Sequence, residues 1–249
     1  MNDAPAMWSE TLRVRASEVG PDGLARPTAL ADWLQEAAGN HATALGWAVD
    51  QLGDRGLTWV LSRLHVRVAS LPRWRAEVQV ATWPAGAARA YALREFRLAA
   101  ADGGELAVGT SGWLLVNLVS RRPVRPPEGI HEMARRTPGR LLDDPFEKLP
   151  ELACAAHERA FDVRFADLDL NRHVNNVVVI GWALEALPTE VLGGRRLAEL
   201  EVEFRAESLL GDRVRAEVQA ADDGSFLHRV VRPADGREIA RARTRWSTP

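Results

Sequence analysis

Trp33-Leu-Gln-Glu36-Ala37 returns as Trp182-Ala-Leu-Glu185-Ala186, an offset of 149 positions. RAEVQ stands at Arg75 to Gln79 and again at Arg215 to Gln219, an offset of 140. GGELAVGTSGW, ending at Trp113, is similar to GREIARARTRW, ending at Trp246, an offset of 133. The landmarks keep their order while the offsets shrink, as they do in two copies of one unit when the second has shorter loops. A chain of this kind is confined to one architecture used twice.

The first helix is read in RPTALADWLQEAAGNHATALG, where Leu30, Trp33, Leu34, Ala37, Ala38, His41, Ala44 and Leu45 recur on one face. Pro27 suits its first turn and Gly46 its end. A second helix is read in VNNVVVIGWALEAL, closed by Pro188. Its β-branched run makes a poor isolated helix, so burial has to hold it. Strands follow each helix, separated by turns such as Asp102-Gly-Gly104 and Asp222-Asp-Gly224. One helix followed by an antiparallel meander buries both surfaces only if the sheet curls around the helix. The expectation is an α+β chain: two copies of a long helix wrapped by an antiparallel sheet, side by side as a pseudodimer in one chain. The N-terminal unit is placed at residues 1–121, a Pro- and charge-rich linker at 122–156, and the C-terminal unit at 157–249.

Composition narrows the function classes. A 46% hydrophobic content over 249 residues supplies a packed interior. A net charge of -2 argues against binding nucleic acid through bulk electrostatics. The single cysteine, Cys154, excludes an internal disulfide and a multi-thiolate metal site. No basic residue precedes Arg13, and the apolar runs are about half the length a bilayer needs. A cytoplasmic protein without membrane insertion is expected.

The stretch DLDLNRHVNN, Asp167 to Asn176, places two Asp, three Asn, one Arg and one His at the mouth of the apolar run VVVIGWALEALP. With LQEAAGNHA, LTWVLSRLHVRVASLPRWRAEVQVATW and VEFRAESLLGDRV, it resembles the acyl-acyl-carrier-protein thioesterases of plants and bacteria over most of the chain. Those are tandem hotdog-fold enzymes that release fatty acids from acyl carrier protein, so the resemblance implies a double hotdog with that activity. It also implies a role in hydrolysis for Asp169, Asn171, His173 and Glu207. Where plant members commonly carry Cys, this chain has Ser208, which removes a cysteine nucleophile.

A thioester carbonyl gathers negative charge when water attacks, so donors are needed there and a base at the water. Helix-entrance N–H groups of His173 to Asn176 answer the first need, with Asn171 or Asn175 as a side-chain donor. Glu207 and Asp169 are the candidate bases, and direct attack by Asp169 stays open. Taken singly, Asp167, Asp169 and Asn171 read first as helix caps, and it is the combined spacing with the resemblance that turns the reading toward catalysis. Strict alternation in LAELEVEFRAES puts Glu207 on the polar face of a strand, so its approach to the site needs a bulge or a strand end. At the same offsets the first copy has Gly20, Asp22, Leu24 and Arg67, so one active site is expected rather than two.

Asn175 and Asn176 are taken as substrate-binding, and Trp33 and Ala37 on the first helix as acyl lining. No metal or organic cofactor is called for. The partner is an acyl carrier protein bearing a fatty acyl chain, with pairing of two chains into a homodimer left open. Arg241, Arg243 and Arg245, alternating on one strand, are the expected acidic-partner face; Arg213, Arg215, Arg135 and Arg136 are further candidates. Two other readings stand: an acyl-CoA thioesterase, and a non-catalytic acyl-binding protein.

Overall fold

The computed structural model describes residues 5–248. The chain divides into two units between Phe146 and Glu147. The first holds β1 (Trp8–Arg13), α1 (Pro27–Ala44), α2 (Val49–Gly53), β2 (Leu57–Val68), β3 (Glu77–Ala88), β4 (Tyr91–Ala100), β5 (Glu105–Asn117), the short β6 (Pro123–Val124) and α3 (Gly129–Ala134). The second holds β7 (His157–Asp162), α4 (Asn176–Glu185), α5 (Thr189–Gly194), β8 (Arg196–Phe204), β9 (Arg213–Ala220), β10 (Phe226–Arg232) and β11 (Arg237–Ser247). The main strands of the first unit run β1-β3-β4-β5-β2, those of the second β7-β9-β10-β11-β8, and all these pairs are antiparallel. In each copy the first, third, fourth, fifth and second strands lie in that order, so the repeat in the sequence is a repeat in topology. The expected double hotdog is the fold.

Each helix lies on its own sheet, α1 against β1 and β3, α4 against β7, β9 and β10. The face read from the sequence is the buried one: Leu30, Trp33, Leu34, Ala37, Ala38 and His41 are buried along α1, and Leu45 just past it. Gly46 takes φ +75 beyond the last turn, the left-handed position that Gly fills without strain. On α4, Val177, Val179, Ile180, Trp182, Ala183 and Leu184 are buried, which is how its β-branched run stays helical. Its cap is Asn175, whose side-chain oxygen accepts the Val177 N–H at 2.9 Å. Asn175→Ala is expected to cost about 1 kcal/mol in chemical denaturation; an unchanged midpoint would deny the cap any weight.

The segment read as a linker is mostly exposed but pinned by a few buried side chains. Ile130, Leu142, Phe146, Leu149 and Leu152 are all buried. Its first part is fastened to the first sheet by Glu95, a carboxylate with no exposure. Glu95 Oε1 accepts the Thr110 hydroxyl at 2.5 Å, and Oε2 accepts the Leu141 N–H at 2.9 Å and the Leu142 N–H at 3.4 Å. Burial pushes the Glu95 carboxyl up, and these three donors with Arg140 pull it partly back.

The basic face expected on β11 is closed by its own sheet. In register, Arg245 lies opposite Glu199, Arg243 opposite Glu201 and Arg241 opposite Glu203. Arg243 bonds Glu201 at 2.6 Å, Arg245 bonds Asp223 at 2.6 Å and sits 3.2 Å from Glu199, and the buried Arg241 is held by Glu238 at 2.8 Å. Arg215 is likewise 2.7 Å from the buried Glu217. Alternation puts the β11 guanidinium groups on one face, but acids on β8, on the same strand and in the turn at Asp223 neutralise them.

Beneath α4, a cavity of about 10 Å³ is lined by Ile180, Ala183, Leu200, Val202, His228 and Thr244, among others. His228 is fixed in one neutral tautomer: Nδ1–H donates to the Ala183 carbonyl at 3.0 Å, so Nε2 accepts the Thr244 hydroxyl at 2.9 Å. Burial holds its pKa at about 4, below the ordinary 6.5. The unfolded chain therefore takes up a proton first, and stability is lost as pH falls from about 6.5 to about 4. Relative to His228→Gln, the wild type should lose about 3 kcal/mol across that window in urea titrations at stepped pH. Parallel pH profiles for the two proteins would contradict a neutral buried imidazole.

Candidate active site

The loop into α4 is set by backbone bonds. A 3-10 turn at Phe165–Asp167 is pinned by Asp167, whose carboxylate accepts the Arg164 N–H at 2.8 Å and its guanidinium at 2.7 Å. A tight turn follows, in which Asp169 N–H donates to His173 O at 2.8 Å and Arg172 N–H to Asp169 O at 3.0 Å. Arg172 takes φ +61, a left-handed conformation that disfavours a residue with a Cβ.

The first copy makes the same turn 149 positions earlier, with Gly20 N–H on Leu24 O at 2.8 Å and Gly23 N–H on Gly20 O at 3.0 Å. Its left-handed residue is Gly23, at φ +74. Before it, Arg15 N–H meets the Glu18 carboxylate at 2.6 Å, as Arg164 N–H meets Asp167. α1 and α4 also begin at matching positions, Pro27 and Asn176. The backbone of the site is thus common to both copies, and the second alone hangs Asp, Asn and His on it.

Asp169 closes the turn with its side chain, Oδ1 accepting the Asn171 N–H at 2.8 Å and the His173 N–H at 3.3 Å. That brings Asp169, Asn171 and His173 onto one short hairpin. Glu207 meets it from the sheet side, with Oε2 at 3.4 Å from His173 Nε2, both side chains part-exposed. The alternation that put Glu207 on the wrong face does not reach it, because β8 ends at Phe204. Arg232 donates to the Glu207 carbonyl at 3.3 Å and to Asp212 at 2.9 Å, steadying the segment after the strand.

Of the four helix-entrance N–H groups expected to face an oxyanion, three are already taken. His173 N–H goes to Asp169, Val174 N–H to the Ser208 carbonyl at 3.0 Å, and Asn175 N–H to the Asp167 carbonyl at 2.9 Å. Among the described residues, Asn176 N–H is left as the donor. Asn175 spends its side-chain oxygen on the helix cap. Trp33 and Ala37 lie in the first unit on the buried face of α1, and the Trp33 indole N–H donates to Glu18 at 3.1 Å. The exposed Cys154 is away from the loop in sequence and bonds through its backbone to Gln219.

Two contributors went unread in the sequence. The Ser208 carbonyl staples the hairpin to the segment after β8, and its own hydroxyl is buried without a partner among the described residues. Asp167, read only as a cap, carries the turn before the hairpin; the same position in the first copy, Glu18, was the available signal. The donor atoms of Asp169, His173 and Glu207 do not all come within 4.8 Å of one another, so among the described residues they do not form a ligand set for a metal.

Residues 5–133 match the family model of the acyl-ACP thioesterase N-terminal domain, and residues 151–248 that of the C-terminal domain. A chloroplastic palmitoyl-acyl carrier protein thioesterase of Cuphea hookeriana is 30% identical over 96% of this chain, which spans 62% of that protein's length. The solved 12:0-ACP thioesterase of Umbellularia californica superposes with a TM-score of 0.87 at 27% identity over 98% of each chain. An acyl-ACP thioesterase of Bacteroides thetaiotaomicron has the same fold, with a TM-score of 0.87 at 23% identity over 97% of this chain and 98% of its own. Two family models in tandem, meeting a duplicated fold with one equipped turn, leave one assignment: the chain belongs to the acyl-ACP thioesterase family.

Proposed function

We propose that the protein hydrolyses fatty acyl thioesters carried on acyl carrier protein, releasing the free fatty acid. The observation that carries this reading is the contact between His173 and Glu207 at the entrance of α4. Glu207 takes the proton of a water held beside the pair, in reach of both Glu207 and His173, and that water attacks the thioester carbonyl. The oxyanion forms against the Asn176 N–H and the positive end of α4. Asn171, whose side chain is exposed beside the turn, orients the thioester. Collapse of the tetrahedral species breaks the C–S bond, and the proton passed to Glu207 goes to the departing thiolate.

Asp169 is a positioning residue in this scheme. One of its oxygens is spent on two backbone N–H groups, which fixes His173 where it meets Glu207. Trp33 and Ala37, on the helix of the first unit, are the acyl-binding residues of that unit in this reading. The family and the printed names of its members support carrier protein as the thioester bearer, and the acidic partner has to find basic groups other than the β11 ladder.

The test is the rate of thiol release from one medium-length acyl chain presented on acyl carrier protein and on coenzyme A. A kcat/KM at least about tenfold higher for the carrier protein is expected. Equal values, or a preference for coenzyme A, would replace this reading with that of an acyl-CoA thioesterase.

A further inference from the structure

The second unit exposes large apolar side chains around its equipped turn. Leu170, at the tip between Asp169 and His173, is 98% exposed, and Phe165, which opens the 3-10 turn before it, is 80% exposed. Leu209 and Leu210, on the segment after β8, are about half exposed. Backbone bonds tie these segments to the turn: Leu168 N–H donates to Phe165 O at 3.3 Å, Val174 N–H to Ser208 O at 3.0 Å, and Asp212 N–H to Leu209 O at 3.0 Å. A single exposed Leu is ordinary on any surface, whereas a group of them gathered at one place marks a contact site.

The first copy repeats the backbone without this rim. Val14 N–H donates to Ala76 O as Val163 N–H does to Asp212 O, both at 2.9 Å, and Ala25 N–H meets Pro72 O as Val174 N–H meets Ser208 O. Those bonds put Ala16, Pro21 and Arg73 where the second copy has Phe165, Leu170 and Leu209. Trp74, at the place of Leu210, is the one large apolar side chain of that set. The fold itself therefore does not demand the rim; the rim goes with the copy that carries Asp169, Asn171, His173 and Glu207.

Cations stand among these side chains. Arg172 is exposed, and among the described residues its guanidinium pairs with no carboxylate. It adopts φ +61 where the first copy has Gly23, so an Arg is kept where Gly would sit without strain. The Arg213 side chain is mostly exposed and comes only within 3.9 Å of Asp162.

We infer that Phe165, Leu170, Leu209 and Leu210, with Arg172 and Arg213, form the docking rim for acyl carrier protein. This rests on carrier protein being the thioester bearer. The apolar side chains supply area to bury, and the two guanidinium groups meet the partner's acids, which speeds encounter and sets orientation. The thioester has to reach the turn that the rim borders, so its bearer covers these side chains during turnover. A lipid surface or a second copy seated there would stand over the same entrance.

The test is kcat/KM for one medium-length acyl chain on acyl carrier protein and on N-acetylcysteamine, for the wild type, Leu170→Ser, Phe165→Ser and Arg172→Gly. With carrier protein each variant should lose about tenfold, chiefly through KM, while the small thioester changes less than about twofold. Arg172→Gly keeps the left-handed backbone, so it removes the guanidinium without disturbing the turn. Equal loss on both thioesters, or no loss on either, would overturn the rim. Fluorescence anisotropy of dye-labelled holo-acyl carrier protein repeats the comparison without turnover. Weaker binding by the variants upholds the rim even beside a wild type that fails to hydrolyse the thioester, a failure that would sink the hydrolytic reading alone. Equal binding by all four proteins would overturn the rim. Wild-type binding to phosphatidylglycerol vesicles, or a wild-type dimer in sedimentation velocity, abolished by Leu170→Ser, would assign the rim to lipid or to a second copy and overturn it as well.

Discussion

Glu207→Gln should lower turnover of a carrier-bound acyl thioester by about 100- to 10,000-fold, the usual contribution of a positioned general base. The amide keeps the size of the carboxylate and a carbonyl oxygen toward His173, so the contact at 3.4 Å can persist while the ability to take a proton is lost. Stability should change little, because the side chain is 42% exposed and lies past the end of β8. The loss should fall on kcat rather than KM, since a base acts in the transition state and not in binding. Steady-state thiol release, with an unfolding curve on the same sample, measures both. A variant within about threefold of wild-type kcat would remove Glu207 as the base and return Asp169 to that role.

Glu95→Ala should destabilise the protein by about 3 to 5 kcal/mol, the range found when one partner of a buried charged network is removed. Nothing in the methyl group can accept the Thr110 hydroxyl or the Leu141 and Leu142 N–H groups, and each buried donor left alone costs about 1 to 3 kcal/mol. Recovering the cost of desolvating a carboxylate keeps the total below the sum of those losses. Glu95→Gln retains an acceptor but sets an amide NH2 toward donors, so its loss should be intermediate. Guanidinium denaturation of the three proteins checks the order, and a Glu95→Ala midpoint equal to the wild type would show that residues 141 and 142 are held by something else.

The sequence was informative where side-chain periodicity and local backbone chemistry decide structure. The α1 stripe, the Gly46 stop and the repeat from Trp33 to Trp182 all depend on spacing along one chain, and the observed helix starts at Pro27 and Asn176 keep the 149-residue offset. What it hid were partners across strands and loops. Alternation placed Arg241, Arg243 and Arg245 on one face, but β8 supplies the acids opposite them, and register is not written in either strand alone. The same limit put Glu207 on the wrong face, because alternation cannot announce that β8 stops at Phe204. Composition marked residues 122–156 as a linker through their Pro and charge, whereas a buried Glu95 draws part of that segment onto a sheet. The candidate catalytic set was legible only as residue types on a turn. Which amide remained open depended on Ser208 and Asp167, whose carbonyls take the N–H groups of Val174 and Asn175.

The two turns share one backbone but not one residue type at its left-handed position. Gly23 adopts its left-handed conformation without a Cβ, and Arg172 adopts the same conformation at a cost of about 1 to 2 kcal/mol. The second copy tolerates that strain on the hairpin that bears Asp169, Asn171 and His173. A strained residue between two groups that must be held in register is a familiar mark of a working site.

Thiol release from a medium-chain acyl carrier protein thioester, measured side by side for the wild type, Asp169→Ala, which removes the acceptor of the two turn N–H groups, and His173→Ala, is the most direct trial of the turn at the head of α4 as the hydrolytic centre. Turnover by the wild type, with both variants reduced about 100-fold by misplacement of the reacting groups and still folded, is the expected result. An inert wild type, or variants that keep their rate, would contradict it.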